Sequence, residues 1–230
     1  DAYAFRQHVA TARRNRGLDM IPEFDEIPIF YFTNHNAVFG EGDFPIRPMH
    51  NEKLDFELEC AAVIGKRGRN ISSKEADDYI AGFMIMNDLS ARALQMKEMK
   101  LNLGPAKGKD FGSTFGPWLV TKDELNNYKT TSEDGDRYNL KMRAFVNDVL
   151  VSEDSLENMT WTFAQIIERV SYGVDIFPGD VIGSGTCGTG CFLELNGSKI
   201  TDNQWLQPND IVSLEIEGLG KLNNRIVLED

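Results

Sequence analysis

The sequence predicts an α+β fold dominated by irregular β-sheet, with a few short helices. Three observations carry this reading. Short alternating or wholly apolar runs recur along the chain, bounded by Gly, Pro, Asn and Asp. Only a few segments show the 3.6-residue stripe of an amphipathic helix. No internal repeat, low-complexity tract or Pro/Gly/Ser linker divides the 230 residues, so one domain is expected over 1–230.

The elements follow in order. Residues 2–16 read as a helix, with Phe5, Val9 and Ala12 on one stripe and Gly17 as its stop. Residues 17–50 carry Pro22, Pro28, Pro45 and Pro48 between short apolar runs, which predicts loop with short strands. Residues 54–64 read as a strand that alternates and then turns fully apolar. Ser72 and Glu75 have capping-box spacing for a short helix ending near Tyr79. An apolar strand over 80–87 runs into Asn87-Asp88, a helix covers 90–100, and a Gly-rich loop over 104–113 precedes a strand through Trp118. Strands over 139–146 and 149–152 flank the hairpin signal Asn147-Asp148. A helix over 161–170 places Phe163, Ile166, Ile167 and Val170 inward. Strands are expected at 181–184, 191–195, 211–216 and 225–228.

Composition narrows the function. A chain of this length buries roughly 70% of its unfolded surface, so it needs no metal or disulfide merely to fold. The formal charge of −12 argues against nucleic-acid and anionic-membrane surfaces. It also means that a small anionic substrate requires a local basic pocket. The three cysteines, Cys60, Cys187 and Cys191, suggest free thiols in a reducing cytoplasm. No apolar run reaches membrane-spanning length and no signal-peptide pattern opens the chain. The first residue is Asp1, not Met, so a longer natural chain with an upstream domain is an open expectation.

Glu57 and Glu59 stand two apart in Asp55-Phe56-Glu57-Leu58-Glu59-Cys60. On a strand both point to one face, about 6.6–6.8 Å apart along the chain. Asp88, at the tip of an apolar strand, is the natural third carboxylate. Three carboxylates without thiolate or clustered imidazole favour Mg²⁺, Mn²⁺ or Ca²⁺ over zinc. Two carboxylates ~4 Å apart repel by about 4 kcal/mol at an effective dielectric of 20, which a cation would relieve. An E-x-E taken alone is more often the wet face of a strand. Here the strand becomes apolar on both faces just afterwards, which places Glu59 near buried sheet, where carboxylates need partners.

Arg92 and Gln95 share a helix face directly after Asp88, and Lys109 sits in Gly108-Lys109-Asp110-Phe111-Gly112. Together they offer donors to an oxyanion; each alone reads equally as a solvated side chain. His8, on the first helix, is a candidate general base, although a lone helical histidine is more often structural. Glu194, read on a strand, either orients His8 or points to water. Gly183-Ser184-Gly185-Thr186-Cys187-Gly188 spells G-x-G-x-x-G without a βαβ unit around it. A backbone-lined ligand loop with the Thr186 hydroxyl is the better reading.

Taken together, Asp-Phe-Glu-Leu-Glu at 55–59, Asn-Asp-Leu-Ser-Ala-Arg at 87–92, Gly-Lys-Asp-Phe-Gly at 108–112, Pro-Gly-Asp at 178–180 and Gly-Ser-Gly-Thr at 183–186 resemble the fumarylacetoacetate hydrolase family. The resemblance runs over nearly the whole chain. It implies the family's irregular multi-layer β-sheet fold and a homodimer. It implies Mg²⁺, Mn²⁺ or Ca²⁺ on Glu57, Glu59 and Asp88, with Asp1, seven residues before His8, as a fourth ligand. By the same matching His8 resembles the base, Glu194 its partner, and Arg92, Gln95 and Lys109 the oxyanion site. Thr186 and, more loosely, Arg16 resemble substrate contacts. The chain departs from the family in the loop after the first helix. Relatives place a Tyr before His-Gly, or a Lys, where this chain has Asn34-His35-Asn36 and Thr33, so head-group recognition does not carry over.

The expected activity is metal-dependent hydrolytic cleavage of a C–C bond in a β-diketo acid of the fumarylacetoacetate, fumarylpyruvate or acylpyruvate type, as in aromatic-compound catabolism. Oxaloacetate decarboxylation and oxo-acid isomerisation or hydration are the alternatives on the same site. A non-catalytic cation-binding protein is the reading from another class.

Overall fold

The computed structural model describes residues 1–229; Asp230, the last residue of the span assigned to the domain, lies outside the described residues. The fold is α+β and strand-rich, as its sequence predicts. In chain order the main elements are α1 (Arg6–Arg14), β1 (Val38–Phe39), β2 (Gly42–Ile46), β3 (Leu58–Ile64), β4 (Ile80–Asp88), α2 (Arg92–Glu98), β5 (Ser113–Thr121), β6 (Lys141–Val146), β7 (Val149–Ser155), α3 (Phe163–Val170), β8 (Val181–Gly183), α4 (Phe192–Gly197), β9 (Ile211–Ile216) and β10 (Gly220–Leu228). None of the described helices is long and apolar enough to cross a membrane.

Two five-stranded sheets organise the chain. The first has the order β1-β5-β4-β3-β8 and the second β7-β6-β9-β10-β2. Pairing is antiparallel except β1 with β5 and β2 with β10, which are parallel. β10 and β9 pack across β5 and β4, and the core lies between the sheets. Phe83 centres one aromatic cluster, 4.9 Å from the Tyr138 ring and 5.4 Å from that of Phe163.

Local chemistry explains the elements that were legible beforehand. Asn147 and Asp148 both adopt positive φ, 51° and 64°, which lets a two-residue turn join β6 to β7 with the twist of the flanking strands. Thr162 caps α3: its hydroxyl accepts from the Gln165 N–H at 3.2 Å, and the Gln165 side chain accepts from the Thr162 N–H at 3.0 Å. The stripe Phe163, Ile166 and Ile167 is buried as expected.

Four elements differ from expectation. α1 begins at Arg6 because the N–H groups of Ala2 and Ala4 bond to Gly183 and Ser184 carbonyls at 3.0 Å, holding that stretch extended against β8. The strand expected over 54–64 is broken: Leu54–Asp55 pairs with Ser90–Ala91, and β3 begins at Leu58, leaving Glu57 in the break. β10 starts at Gly220, five residues earlier than expected, because it pairs with β9 on one side and β2 on the other. Residues 192–197 are helix α4, not a strand. The short run Cys191-Phe192-Leu193-Glu194-Leu195 does not distinguish the two by period alone. Here Asp55, distant in sequence, accepts from the first backbone N–H groups of the turn and stabilises it as helix.

Candidate active site

The strand break at residues 56–57 and the tip of β4 bring the predicted carboxylates together. Leu58 pairs with Asn87 in the β3–β4 ladder, so Glu57, Glu59 and Asp88 meet at one end of the sheet. One carboxylate oxygen from each of Asp1, Glu59 and Asp88 lies within 4.8 Å of the other two. Asp1 is delivered by backbone pairing with Tyr31: the Tyr31 N–H donates to the Asp1 carbonyl at 2.9 Å and the Asp1 nitrogen to the Tyr31 carbonyl at 2.7 Å.

Glu57 stands on the cationic side of this group. Lys109 Nζ donates to Glu57 Oε2 at 2.5 Å and to Asp88 Oδ2 at 2.9 Å. The Arg92 guanidinium donates to Glu57 Oε1 at 2.7 Å, to Asp55 Oδ2 at 2.8 Å and to Gln95 Oε1 at 3.0 Å. Glu59 instead accepts from the Gly185 N–H at 3.1 Å and the Thr186 hydroxyl at 3.4 Å, so the G-x-G-x-x-G loop serves a carboxylate. Gly185 takes φ 81°, and a Cβ there would meet the Ala2 carbonyl, which explains glycine at this close approach.

The electrostatics follow from burial. Asp55, Glu57, Glu59 and Asp88 are buried, Asp1 is half-buried, and among the described residues the Lys109 and Arg92 side chains are the cations buried beside them. Burial alone would raise the Glu57 carboxyl, but Lys109 and Arg92 overcome it and hold it down to about 2. Glu59 is pushed well above the usual carboxylate range, by burial first and then by the charges of Glu57 and Asp88. Burial works against the charged Lys109 too, yet Asp88 and Glu57 raise it above the ordinary lysine value.

This arrangement fits a hard divalent cation. The donors of Asp1, Glu59 and Asp88 are all oxygens. Asp1 Oδ1 is buried and, among the described residues, has no hydrogen-bond partner. Space is kept beside it by Gly183, where a Cβ would press on Asp1 Oδ1 and lie 3.0 Å from Glu59 Oε2.

His8 and Glu194 face each other between α1 and α4, with Nδ1 2.6 Å from Oε2 and both side chains buried. His8 lines the same cavity of about 1380 Å³ as Asp1, Glu57, Glu59, Arg92 and Lys109. Gln95 and Thr186 also line it, as does the exposed Arg16, whose Nε donates to the Ala12 carbonyl at 3.0 Å. Every residue singled out for chemistry therefore lies on the cavity wall except Asp88 and Glu194, which contact the wall residues Lys109 and His8. The three cysteines are free, and burial pushes each thiol up.

Two residues escaped the sequence reading. Tyr31 lines the cavity and donates to Asp88 Oδ2 at 2.5 Å, whereas neither Thr33 nor His35 is on the cavity wall. Its only signal was a phenol closing the apolar run Ile29-Phe30. Asp55 is fully buried, and its signal was a carboxylate between two core residues, Leu54 and Phe56.

Comparison with known proteins places this geometry. The chain is 34% identical to the mitochondrial oxaloacetate tautomerase Fahd2a of Rattus norvegicus over 203 residues, covering 87% of this chain and 59% of that protein. It thus spans less than two thirds of that relative's length. Among solved structures, the fumarylacetoacetate hydrolase of psychrophilic Exiguobacterium antarcticum superposes with a TM-score of 0.74 at 26% identity, over 98% of this chain and 73% of that one. The fumarylpyruvate hydrolase of Pseudomonas aeruginosa, solved with Mn²⁺ and pyruvate, shares the fold with a TM-score of 0.76 at 22% identity, over 99% of this chain and 89% of that one. The family model for the C-terminal part of fumarylacetoacetate hydrolase matches residues 1–227, and this chain belongs to that family.

Proposed function

We infer that the protein is a divalent-metal-dependent enzyme that hydrolyses a C–C bond in a small β-diketo acid. The observation that carries this reading is the His8–Glu194 pair, 2.6 Å apart, whose histidine lines the same cavity as Asp1, Glu57, Glu59 and Lys109. Asp1, Glu59 and Asp88, with Glu57 alongside, would hold Mg²⁺, Mn²⁺ or Ca²⁺, which supplies Lewis-acid polarisation of the substrate's oxo groups.

The chain's own groups divide the remaining work. Glu194 engages His8 Nδ1, which leaves Nε2 to take a proton from water. The resulting hydroxide attacks the distal carbonyl. Lys109 and Arg92 supply positive charge where the alkoxide develops, and Gln95, whose carbonyl is taken by Arg92, keeps its amide N–H groups for that oxygen. The bond to the central carbon then breaks, its electron pair leaves as an enolate, and His8 returns the proton. Apolar wall residues such as Val9, Ile29, Phe30 and Leu193 suit a carbon tail on the acyl side. The basic rim residues Arg13, Arg16 and Lys199 would offset a field that otherwise repels an anion.

The similarity to an oxaloacetate tautomerase favours a second reading, in which the same base moves a proton between carbon and oxygen of oxaloacetate without water entering the product. One experiment separates them. Acylpyruvates, fumarylpyruvate, fumarylacetoacetate and oxaloacetate are each incubated with the Mn²⁺-loaded protein in ¹⁸O water. Hydrolysis leaves one ¹⁸O in the released acid carboxylate and halves the substrate. Tautomerisation changes the ultraviolet spectrum of oxaloacetate without cleavage. Turnover of none of the four counts against both readings and favours a cation-binding protein without catalysis. The cytoplasmic location and a homodimeric assembly complete the proposal.

A further inference from the structure

Asp55 touches neither the cavity nor the Asp1–Glu59–Asp88 group, yet both halves of the catalytic apparatus converge on it. Its Oδ1 accepts from the Phe192 N–H at 2.7 Å, and its Oδ2 accepts from the Leu193 N–H at 2.9 Å and from Arg92 Nε at 2.8 Å. The N-cap residue of α4, Cys191, makes no side-chain cap of its own. The opening N–H groups of that helix are satisfied instead by a carboxylate 137 and 138 residues away in sequence. Two residues further along, α4 carries Glu194, which holds His8. On its other side Asp55 fixes Arg92, whose remaining nitrogens engage Glu57 and Gln95.

We propose that Asp55 is a positioning residue that sets the His8–Glu194 pair and the Arg92 guanidinium in one common frame. A single fully buried carboxylate with three donors ties the element bearing the base's partner to the element bearing the oxyanion cation. α4 is a six-residue helix with little intrinsic stability, so its placement depends on this anchor. A displacement on the order of 1 Å at such a site lowers rate by about 10²-fold without removing any reacting group. The claim rests on the reading of His8 and Glu194 as the proton-transfer pair.

The test uses Asp55→Asn in the Mn²⁺-loaded protein with whichever of fumarylpyruvate or oxaloacetate the parent turns over. The expected result is a kcat lower by about 10–100-fold, with KM and Mn²⁺ affinity within about threefold of the parent. In a Glu194→Gln background the same change should cost clearly less than in the parent, because only its effect on Arg92 remains. A full multiplicative loss in the double variant would overturn the proposal. So would a fall in KM or metal affinity that accounts for the whole effect.

A second readout needs no turnover. The short His8–Glu194 hydrogen bond is expected to give a low-field imidazole proton resonance in the parent, absent in Glu194→Gln and shifted or broadened in Asp55→Asn. If the resonance is unchanged in Asp55→Asn, the positioning claim fails even if the enzyme is active. If Glu194→Gln leaves turnover untouched while the resonance responds to Asp55, the functional reading fails and the anchoring stands. Asp55→Ser, which leaves room for a water, is the second variant should the Asn form not fold. Failure of both to fold would make Asp55 a folding residue and sink the proposal.

Discussion

His8 Nδ1 lies 2.6 Å from Glu194 Oε2, although 186 residues separate the two in the chain. The contact joins α1 to α4, the two helices that wall one side of the cavity. With Nδ1 occupied, the proposed proton transfer would run through Nε2. His8→Ala should therefore lower kcat by about 10²–10⁴-fold, the usual range for a lost general base. Glu194→Gln should lower it less, with KM little changed. Steady-state kinetics on the best of the four oxo-acids checks both, and parental turnover by His8→Ala would remove the histidine from the mechanism.

Metal dependence is the next expectation. After exhaustive stripping, adding Mn²⁺ at 100 times its Kd should stabilise the fold by about 2.7 kcal/mol if the ion binds the folded state alone. Asp88→Asn should abolish the shift. An unchanged melting curve in the stripped parent would show that the acids do not act on one ion.

Gly183→Ala tests the space beside the carboxylates. The added methyl would press on Asp1 Oδ1 and lie 3.0 Å from Glu59 Oε2 and 2.8 Å from Met86 sulfur. Mn²⁺ affinity measured by calorimetry should drop by tenfold or more, about 1.4 kcal/mol. A variant that binds Mn²⁺ as tightly as the parent would place the ion elsewhere.

Tyr31→Phe removes the phenol that donates to Asp88 Oδ2 at 2.5 Å. Groups that orient a metal-binding carboxylate commonly contribute about 10–100-fold in affinity or activity. Loss in this range is expected for Mn²⁺ binding or kcat, with the fold intact by circular dichroism.

Acid sensitivity should trace to Glu57. Lys109 and Arg92 hold its carboxyl at about 2 against the opposing effect of burial. The folded value lies below the unfolded value of about 4.3, so the unfolded state takes up the proton first. The ion pairs then contribute fully above about pH 4.3, and that contribution is lost as pH falls through about 2. Glu57→Gln should be less stable than the parent at pH 7 and show a shallower loss on acidification across this window, read by chemical denaturation of the stripped proteins. Parallel curves would assign the acid response to other groups.

The chain alone determined the fold class, the Asn147-Asp148 hairpin and helix α3, and it nominated most of the acidic and basic residues of the candidate site. Each of these depends on short-range chemistry: alternation, turn residues that accept positive φ, a capping pair three residues apart. The strand assigned to 191–195 shows where that information ends, because Phe192-Leu193-Glu194-Leu195 fits either period and Asp55 decides for the helix from far away in sequence. Tyr31, too, became recognisable only once backbone pairing with Asp1 set it beside Asp88. Only the tertiary structure decided which carboxylates group around Asp1, which one pairs with Lys109 and Arg92, and that His8 meets Glu194. The physical reason is that burial and long-range hydrogen bonds, which set the charge state and orientation of these groups, are properties of neighbours in space and leave no periodic trace along the chain.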